Sequence, residues 1–268
     1  KSRYDVVIDM HEGTRGATTC FFTQAPFRVG HKFAKRSFFY NIKLEFGDLQ
    51  PRYPIDYQVA LIKKMGVKFE KILPEIYISE TAKKKVLGLL KQVGVSSHDS
   101  FCIIHPGARI FDRLEPWKFA ELAGRIFELY NLKILFTWGP GQKELVDEII
   151  PKINIASYAL LSTNLQELGA ITSRAQFVVC HNGGYMHMVS VLGTPVVALF
   201  GWANPAIWKP IGDKSEVVYK NLECSPCGSK TIKSECLAGD PECKRLITVD
   251  DIISAIKKVY FPPIITNG

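Results

Sequence analysis

Three loops in the second half of the sequence combine glycines with side chains that could hold an anion. They are the segments 105–109 (HPGAR), 138–142 (WGPGQ) and 182–187 (NGGYMH). Each lies between an apolar run that predicts a buried strand and a predicted helix. In an open parallel sheet, ligands bind where the strands end, because loops and helix amino termini present unpaired N–H groups there. The three loops are therefore the first candidates for a binding site.

The loop at 182–187 is the most informative of the three. Gly183 and Gly184 have no side chain, so bare N–H groups at the start of a helix would suit a phosphate. At helical spacing His187 shares a face with both glycines and is placed to hydrogen-bond the same anion. A core histidine satisfied by backbone groups is the alternative interpretation of His187.

The other two loops are less specific. Gly107 allows the backbone to approach a ligand closely, and Arg109 and Arg113 add cations nearby. The loop at 138–142 opens a helix as a dinucleotide fingerprint does, but Glu144 stands at the position of its third glycine. The sequence contains neither a Walker A motif nor a GxSxG elbow, which argues against nucleotide hydrolysis by a P-loop and against an esterase.

An alternation of strands and helices must position these loops. Apolar runs and helical periodicity predict strands at 101–104, 133–137, 177–179 and 196–200 and helices at 116–130, around 145–150 and at 249–260. This alternation is typical of an α/β fold with a parallel sheet and helices on both faces. The first 90 residues predict strands at 5–9 and 27–30 and a helix near 55–65, as in the later part of another α/β domain. We place the boundary between the domains, 1–92 and 93–268, near residue 92.

The net charge of +8 at pH 7 is concentrated at the start of the chain. Residues 1–100 hold 17 basic and 10 acidic side chains, whereas the remainder is nearly balanced. This asymmetry indicates either an anionic partner, such as nucleic acid, a phosphorylated substrate or a membrane surface, or a solvated basic face. A hydrophobic content of 47% over 268 residues argues against a disordered chain, a collagen or a coiled coil.

Residues 175–208 contain no Asp, Glu, Lys or Arg and form a run long enough on paper to span a bilayer. Glycines and prolines divide this run into short apolar pieces, which predicts buried strands and tight turns instead. The sequence has no basic-then-apolar leader, so a secretory signal is not predicted. The chain begins with Lys1 and reaches a strand almost at once, and we therefore expect further sequence upstream.

Seven cysteines are present, and four of them form a cluster in sequence: Cys224, Cys227, Cys236 and Cys243. A four-thiolate zinc site is conceivable, although the spacing of the second pair is wider than a zinc ribbon prefers. A redox-labile disulfide pair and free thiols are the other interpretations, and free thiols are favoured. We predict no metal site. The other three cysteines sit in apolar segments, where a buried thiol is the ordinary outcome.

Several stretches of the sequence resemble glycosyltransferase family 9, the lipopolysaccharide heptosyltransferases. They are YDVVIDMHEGTRGA at 4–17, HPGAR at 105–109, RLEPWKFAELA at 113–123, WGPGQKEL at 138–145 and the long segment at 182–212. The resemblance implies a GT-B architecture, in which one Rossmann-like domain holds the acceptor and a second one holds the nucleotide-sugar donor. It also implies that the amino-terminal domain is incomplete in this chain.

The resemblance assigns roles to individual residues. The donor site would comprise Gly107, Ala108, Arg109, Arg113, Trp138, Gly139, Gln142, Asn182, Gly183, Gly184, Tyr185 and His187. Cations on the acceptor side would be Arg15, Lys32, Lys35 and Arg36. The family's usual base lies in a GD-containing loop that has no counterpart here. Possible substitutes at the end of the first strand are Asp9, His11 and Glu12, and a structural role is the alternative for Asp9.

Three positions depart from the residues that the family usually has. Asn182 and Asn204 stand where acids are common, and Asp112 stands where a basic residue is expected. These departures leave open a different nucleotide or sugar, or weakened activity.

The function implied by the resemblance is an inverting, metal-independent transfer of a sugar, heptose from ADP-heptose foremost, to a lipopolysaccharide core acceptor. Such an enzyme uses no cofactor and would act in the cytoplasm, in peripheral contact with the inner face of the cytoplasmic membrane. The alternatives are a transferase-like binding or assembly protein that has lost catalysis and a family member with a different nucleotide sugar. Nucleic-acid binding is not expected, because the basic region contains no matching motif.

Overall fold

The structure is a computed structural model in which residues 3–11, 13–45, 54–68, 74–108, 112–155, 157–160, 162–227, 236 and 239–261 are described. It divides into two compact units, Lys1–Ile72 and Leu73–Gly268. Each unit contains a parallel sheet of its own. The α/β class predicted from the sequence is therefore confirmed.

The first unit is built on a three-stranded parallel sheet. Its elements are β1 (Val6–Ile8), α1 (Thr14–Phe22), β2 (Phe27–His31), β3 (Ile42–Leu44) and α2 (Pro54–Lys64). The strands lie in the order β1-β2-β3. Ala17 and Cys20 of α1 pack with Tyr40, whereas Leu61 of α2 packs with Val29 of β2. The two predicted strands and the predicted helix are present, and β3 is an addition to them.

The second unit is built on a six-stranded sheet. Its first elements are α3 (Glu80–Gln92), β4 (Phe101–His105), α4 (Pro116–Tyr130), β5 (Lys133–Phe136), α5 (Lys143–Ile149), β6 (Ser157–Ala159) and α6 (Leu165–Thr172). The remaining ones are β7 (Val178–His181), α7 (Gly184–Val191), β8 (Val196–Phe200), α8 (Pro205–Trp208), β9 (Ser215–Tyr219), α9 (Glu242–Arg245) and α10 (Val249–Val259). All neighbouring strands are parallel, in the order β6-β5-β4-β7-β8-β9.

Helices cover both faces of the six-stranded sheet. Along β4 the side chains alternate, so that Cys102 and Ile104 join a core with α4 and α10, while Phe101 and Ile103 join a core with α3 and α6. Every residue of β4, β7 and β8 is buried. Because both faces are covered, these central strands have continuous apolar sequences rather than alternating ones.

The uncharged segment 175–208 forms the centre of the second unit, since it contains β7, α7 and β8. The prediction of buried strands and tight turns is therefore confirmed. Within the part of the chain that the structure describes, we find no helix whose length and apolar character would let it cross a bilayer.

The division between the units lies after Ile72, earlier than the predicted boundary near residue 92. The reason is α3, which belongs to the second unit. Its residues Val86 and Leu90 are buried in one core with Ile171 of α6, and the N–H of Ser79 donates to Gln166 Oε1 at 2.9 Å. The Gly- and Ser-containing segment 94–97, which follows α3, is a loop inside the second unit. Its composition resembles that of a linker between domains, so sequence alone does not distinguish the two.

Side-chain caps begin four helices of the second unit, α3, α6, α8 and α10, and two of these caps are reciprocal. At α6 the side chain of Asn164 accepts the N–H of Glu167, and the Glu167 carboxylate accepts the N–H of Asn164. At α10 Thr248 and Asp251 form the same reciprocal capping box, as the sequence predicted. Both helices therefore satisfy two of their first N–H groups with their own side chains.

The order of the six strands contains a switch point. From β4 the chain proceeds outward through β5 to β6, and it then returns to the other side of β4 and proceeds through β7 and β8 to β9. This is the Rossmann order, and ligands of such sheets bind in the crevice outside the carboxyl ends of the two strands at the switch point. Those strands are β4 and β7, which end at His105 and His181.

Candidate functional site

One side chain joins the loops that follow β4 and β5. The Gln142 carboxamide donates to the carbonyl of Ala108 at 3.3 Å and accepts the N–H of Gly139 at 3.3 Å. A Cβ built on Gly107 would overlap Gln142 Oε1, so only glycine leaves room for this bridge. Arg113 Nε donates to the same Ala108 carbonyl at 3.0 Å. Five residues of the predicted donor site are thus directly connected.

The loop that follows β7 leads into α7 with an open amino terminus. Gly183, which has no side chain, occupies the N-cap position, and Gly184 is the first helical residue. Among the described residues, nothing lies within 4 Å of a Cβ built on either glycine. The protein's own packing therefore does not require glycine here. The first N–H groups of a helix, together with its dipole, attract an anion into such a space.

Three side chains connect α7 to the ends of β4 and β5. His105 Nδ1 lies 2.9 Å from Thr137 Oγ1, and the rings of His105 and Tyr185 are 4.6 Å apart. The Tyr185 hydroxyl lies 2.9 Å from Thr172 Oγ1. Burial lowers the pKa of His105 to about 4 and raises the pKa of the Tyr185 hydroxyl. Both side chains are therefore neutral at pH 7 and form an uncharged wall beside the crevice.

His187 lies on the first turn of α7, and its backbone N–H donates to Gly183 O at 3.3 Å. The side chain is half-buried, and its ring is 6.4 Å from the ring of Trp208. Burial lowers the pKa of the imidazole, so the ring is neutral at pH 7. Partial exposure favours a hydrogen-bonding role over that of a core histidine.

A cavity of about 200 Å³ opens beyond the Gln142 bridge, at the ends of β5 and β6. Its lining consists of Thr137, Trp138, Gly139, Pro140, Leu160, Ser162 and Thr163. The hydroxyls of Ser162 and Thr163 were not predicted from the sequence. Their position between a strand and the capping box of α6 is the signal that would have indicated them.

The predicted substitutes for the base lie at the end of β1. Asp9 is buried, and its carboxylate accepts the Tyr40 hydroxyl at 2.5 Å and the N–H of His11 at 2.8 Å. A Cβ on Gly16 would overlap the Asp9 carboxylate, so α1 packs directly on it. Asp9 thus ties β1, α1 and the Tyr40 segment together, whereas the His11 side chain is exposed. Glu12 lies outside the described residues.

An open groove of about 650 Å³ runs along α1 in the first unit. Two of the four predicted acceptor-side cations, Arg15 and Arg36, line it together with Thr14, Thr18, Thr19, Phe22 and Thr23. Arg36 Nη1 donates to Thr18 Oγ1 at 2.9 Å. Lys32 is paired with Glu45 at 2.6 Å on the surface, and Lys35 is exposed.

Arg109, the remaining predicted cation of the donor site, lies outside the described residues.

All seven cysteines, each of them among the described residues, are free thiols. Three are buried in apolar surroundings, as predicted: Cys20, Cys102 and Cys180. Burial raises the pKa of the Cys243 thiol to about 11. Across the described residues, no three His, Cys, Asp or Glu side chains are grouped so as to hold a metal ion.

The two units and their sites define a class of protein. Each unit is a parallel α/β sheet, and the second one has Rossmann strand order with an anion-suited helix terminus at its switch point. This is a fold of the GT-B type, as predicted. The family model described as glycosyltransferase family 9 (heptosyltransferase) matches residues 1–238. The chain belongs to this family, which confirms the resemblance.

Known relatives agree with this assignment. Lipopolysaccharide heptosyltransferase 3 of Escherichia coli K12 is 24% identical over 218 residues, which cover 78% of this chain and 62% of that protein. A crystal structure of a family 9 glycosyltransferase from Veillonella parvula aligns with a TM-score of 0.78 at 20% identity, covering 97% of this chain and 74% of that one. The E. coli heptosyltransferase WaaC with ADP aligns with a TM-score of 0.68 at 16% identity, covering 96% and 72%.

The chain is shorter than its relatives. The residues that match cover 29%, 62% and 66% of the length of three curated heptosyltransferases. The similarity to solved structures, at 20% identity or less, supports the fold.

Proposed function

We propose that this chain carries the activity of an inverting glycosyltransferase, which moves a sugar from a nucleoside diphosphate to a lipopolysaccharide core acceptor. ADP-heptose is the foremost donor. The observation that carries the proposal is the open amino terminus of α7 at the switch point of a Rossmann-type sheet, next to the loop that contains Arg113. Helix N–H groups and a guanidinium both bind phosphate oxygens well, so together they suit a diphosphate.

The diphosphate of the donor would occupy the corner between the loops that follow β4 and β7. The N–H groups at the start of α7 and the Arg113 guanidinium would meet its negative charge, and neutral His187 would donate a hydrogen bond. The residues assigned to this corner are Gly107, Ala108, Arg109, Arg113, Asn182, Gly183, Gly184, Tyr185 and His187. The heptosyltransferase WaaC, which has the same fold, was solved with ADP and supports the choice of nucleotide.

The nucleoside would occupy the cavity beyond the Gln142 bridge. Its volume of about 200 Å³ suits a flat ring system. Trp138 and Pro140 supply apolar surface, and the hydroxyls of Ser162 and Thr163 supply hydrogen bonds that fix orientation. Gln142, which joins the loops on either side, would hold this cavity and the diphosphate corner at a fixed separation.

The chemistry is a single displacement at the anomeric carbon. A base takes the proton of the acceptor hydroxyl, its oxygen forms the new glycosidic bond, and the bond from carbon to the diphosphate breaks with its electrons leaving on ADP. Arg113 and the α7 N–H groups would stabilise the departing charge, so the step requires no metal ion and no cofactor. Exposed His11 is placed better for proton transfer than Asp9, whose carboxylate already accepts two internal hydrogen bonds.

The acceptor would bind along α1 in the first unit. Arg15 and Arg36 can grip phosphate or carboxylate groups on an acidic sugar, and the threonine hydroxyls of the groove can bind sugar hydroxyls. The curated relative named lipopolysaccharide heptosyltransferase 3 supports an acceptor of this class. The excess positive charge of the first hundred residues attracts such an anionic acceptor.

A membrane surface is the proposed location of this acceptor. Phe22, Phe33 and Phe38 of the first unit are 75%, 57% and 69% exposed, and the exposed cations Lys35 and Arg36 lie in the same part of the sequence. Aromatic side chains among cations bind the interface of an anionic bilayer without crossing it. We place the protein in the cytoplasm, in peripheral contact with the inner face of the cytoplasmic membrane.

The proposal is tested by titrating the chain with ADP and then assaying transfer from ADP-heptose to a lipopolysaccharide core acceptor. We expect ADP to bind, and Arg113→Ala to weaken binding by about 1–3 kcal/mol through loss of a charged hydrogen bond. Equal ADP affinity in wild-type protein and Arg113→Ala would contradict the assigned role of Arg113.

A binding or assembly protein without catalysis is the second candidate function. It is favoured by one observation, the engagement of the Asp9 carboxylate in two internal hydrogen bonds. Binding of ADP-heptose without turnover, measured with the acceptor present and with the upstream sequence restored, would support this candidate against the transferase.

A further inference from the structure

A buried lysine joins three loops beneath the diphosphate corner. Lys244 of α9 is 1% exposed, and its Nζ donates to the carbonyl of Leu199 at 2.9 Å. The same nitrogen lies 3.4 Å from Asp112 Oδ1 and 3.1 Å from His181 Nδ1. These three partners come from the loop after β4, the end of β7 and the end of β8.

The contacts of Lys244 extend toward the residues of the proposed donor site. The N–H of Leu114, which follows Arg113, donates to His181 Nε2 at 3.3 Å. A neutral imidazole accepts at only one nitrogen. When Nε2 accepts the Leu114 N–H, the proton of His181 is on Nδ1, the nitrogen that faces Lys244. Asp112 precedes Arg113 directly. Asp112, on one side of Arg113, therefore contacts Lys244 directly, and Leu114, on the other side, contacts the His181 ring that lies against Lys244.

The backbone at Gly201 packs closely against this group. A Cβ built on Gly201, just after β8, would lie 2.7 Å from Lys244 Cε and 2.8 Å from Asp112 Oδ1. Burial lowers the pKa of Lys244 and raises the pKa of Asp112, while their mutual attraction opposes both shifts. Replacing both members of a buried ion pair by apolar side chains of similar volume is often neutral for stability, whereas removing one member leaves an uncompensated charge.

We infer that Lys244 is a positioning residue of the proposed donor site. It fixes the positions of the loops that follow β4, β7 and β8 relative to one another. In these positions Arg113 and the N–H groups of α7 point to the two phosphates. The inference rests on the proposed function, because it assumes a diphosphate at that corner. Lys244 is buried and acts through Asp112 and His181 rather than by contact with the ligand.

The test compares ADP and AMP as probes by titration calorimetry on the full chain. Wild-type protein should bind ADP more tightly than AMP, because ADP reaches both phosphate positions. Lys244→Met keeps an unbranched side chain, one heavy atom shorter, and removes its nitrogen. We expect this variant to bind ADP about tenfold more weakly and AMP less than about twofold more weakly. A merely structural role would lower both affinities or the folded fraction alike.

Lys118→Met is the matched control. Lys118 is also buried, and its Nζ donates to the carbonyls of Arg245 at 2.6 Å and Ile247 at 2.9 Å, in the segment that ends α9. This variant should lose stability, as followed by thermal denaturation, and keep the wild-type ratio of ADP to AMP affinity.

Asp112→Asn provides a second measurement if Lys244→Met does not fold. It removes the charge of the partner and keeps its shape, and we expect the same selective loss of ADP affinity. The inference, but not the proposed function, would be overturned if Lys244→Met and Asp112→Asn both kept the wild-type ratio of ADP to AMP affinity. It would also be overturned if Lys118→Met changed this ratio by the same factor. Failure of wild-type protein to bind ADP would overturn the proposed function together with the inference.

Discussion

Gly107 and Gln142 share one small space, in which a Cβ at position 107 would overlap the Gln142 carboxamide oxygen. The carboxamide uses that space to join Ala108 to Gly139, two residues that follow different strands. The relationship makes the loops after β4 and β5 a single structural unit. It also links the proposed diphosphate corner to the proposed nucleoside cavity.

Gly107→Ala should therefore act through Gln142. The added methyl displaces the end of a flexible side chain, which breaks two hydrogen bonds of about 1 kcal/mol each. We expect ADP affinity to fall by about 1–2 kcal/mol. In a double-mutant cycle with Gln142→Ala, measured by calorimetry, the two losses should not add, because both remove the same bridge. Additive losses would mean that Gly107 serves another purpose.

Gly184→Ala should separate stability from binding. Among the described residues a Cβ here meets nothing, and alanine favours the helical conformation, so unfolding free energy should stay level or rise by up to about 1 kcal/mol. The methyl occupies the space proposed for phosphate, so ADP should bind about tenfold more weakly. Gly124→Ala, in the middle of α4 and equally unobstructed by the described residues, should raise stability and leave ADP binding unchanged.

Stability should fall on acidification because of His105. Its folded-state pKa of about 4 lies below the ordinary value of 6.5, so between these values the unfolded chain binds the proton and the folded chain does not. The free energy of unfolding is therefore not reduced by this histidine above pH 6.5, and it falls by about 2 kcal/mol when the pH is lowered to 5. Urea denaturation gives the free energy of unfolding at pH 7.5 and at pH 5. His105→Asn should reduce the difference between these two free energies by about 2 kcal/mol.

The exposed histidine His98 supplies the control for this experiment. His98→Asn should leave the difference between the two pH values as it is in wild-type protein. If the His105→Asn variant kept the full wild-type difference, His105 would not be the group that titrates. His181, whose pKa burial also lowers, accounts for a remaining slope of the same sign.

Membrane association should depend on the exposed phenylalanines of the first unit. Phe22→Ser together with Phe38→Ser should lower sedimentation with anionic vesicles at least tenfold, because each phenylalanine inserted at the interface contributes about 1–2 kcal/mol. Leu165→Ser, which changes a 75% exposed apolar side chain of the second unit, should bind vesicles as wild type does. Equal sedimentation of all three proteins would argue against this surface.

The sequence predicted the parts of the fold that are both long and buried. β4, β5, β7 and β8 are continuous apolar runs because helices cover both faces of the sheet. The edge strands β6 and β9 escaped prediction, since they pair on one side only and are partly exposed. The three-residue β3 is too short to show a periodic signal, and α3 was not predicted as a helix; its residues 80–92 lie before the predicted boundary and belong to the second unit.

For the candidate site, the sequence predicts the loops but not the contacts that position them. The loops 105–109, 138–142 and 182–187 follow from a local rule, that ligands bind where parallel strands end. The contacts that position those loops do not. Gln142 to Ala108 and Lys244 to Asp112 join residues far apart in sequence, and no local spacing encodes such pairs.

The bare start of α7 has a consequence when compared with α6 and α10, which begin with complete capping boxes. Side chains also cap the starts of α3 and α8, whereas α7, like α4, α5 and α9, begins with no hydrogen bond from a capping side chain. A bound phosphate would serve as the absent capping group, so that the ligand itself completes an element of secondary structure. Amide hydrogens in the first turn of α7 would then exchange with solvent more slowly once ADP is present, while those of α6 and α10 would keep their rates.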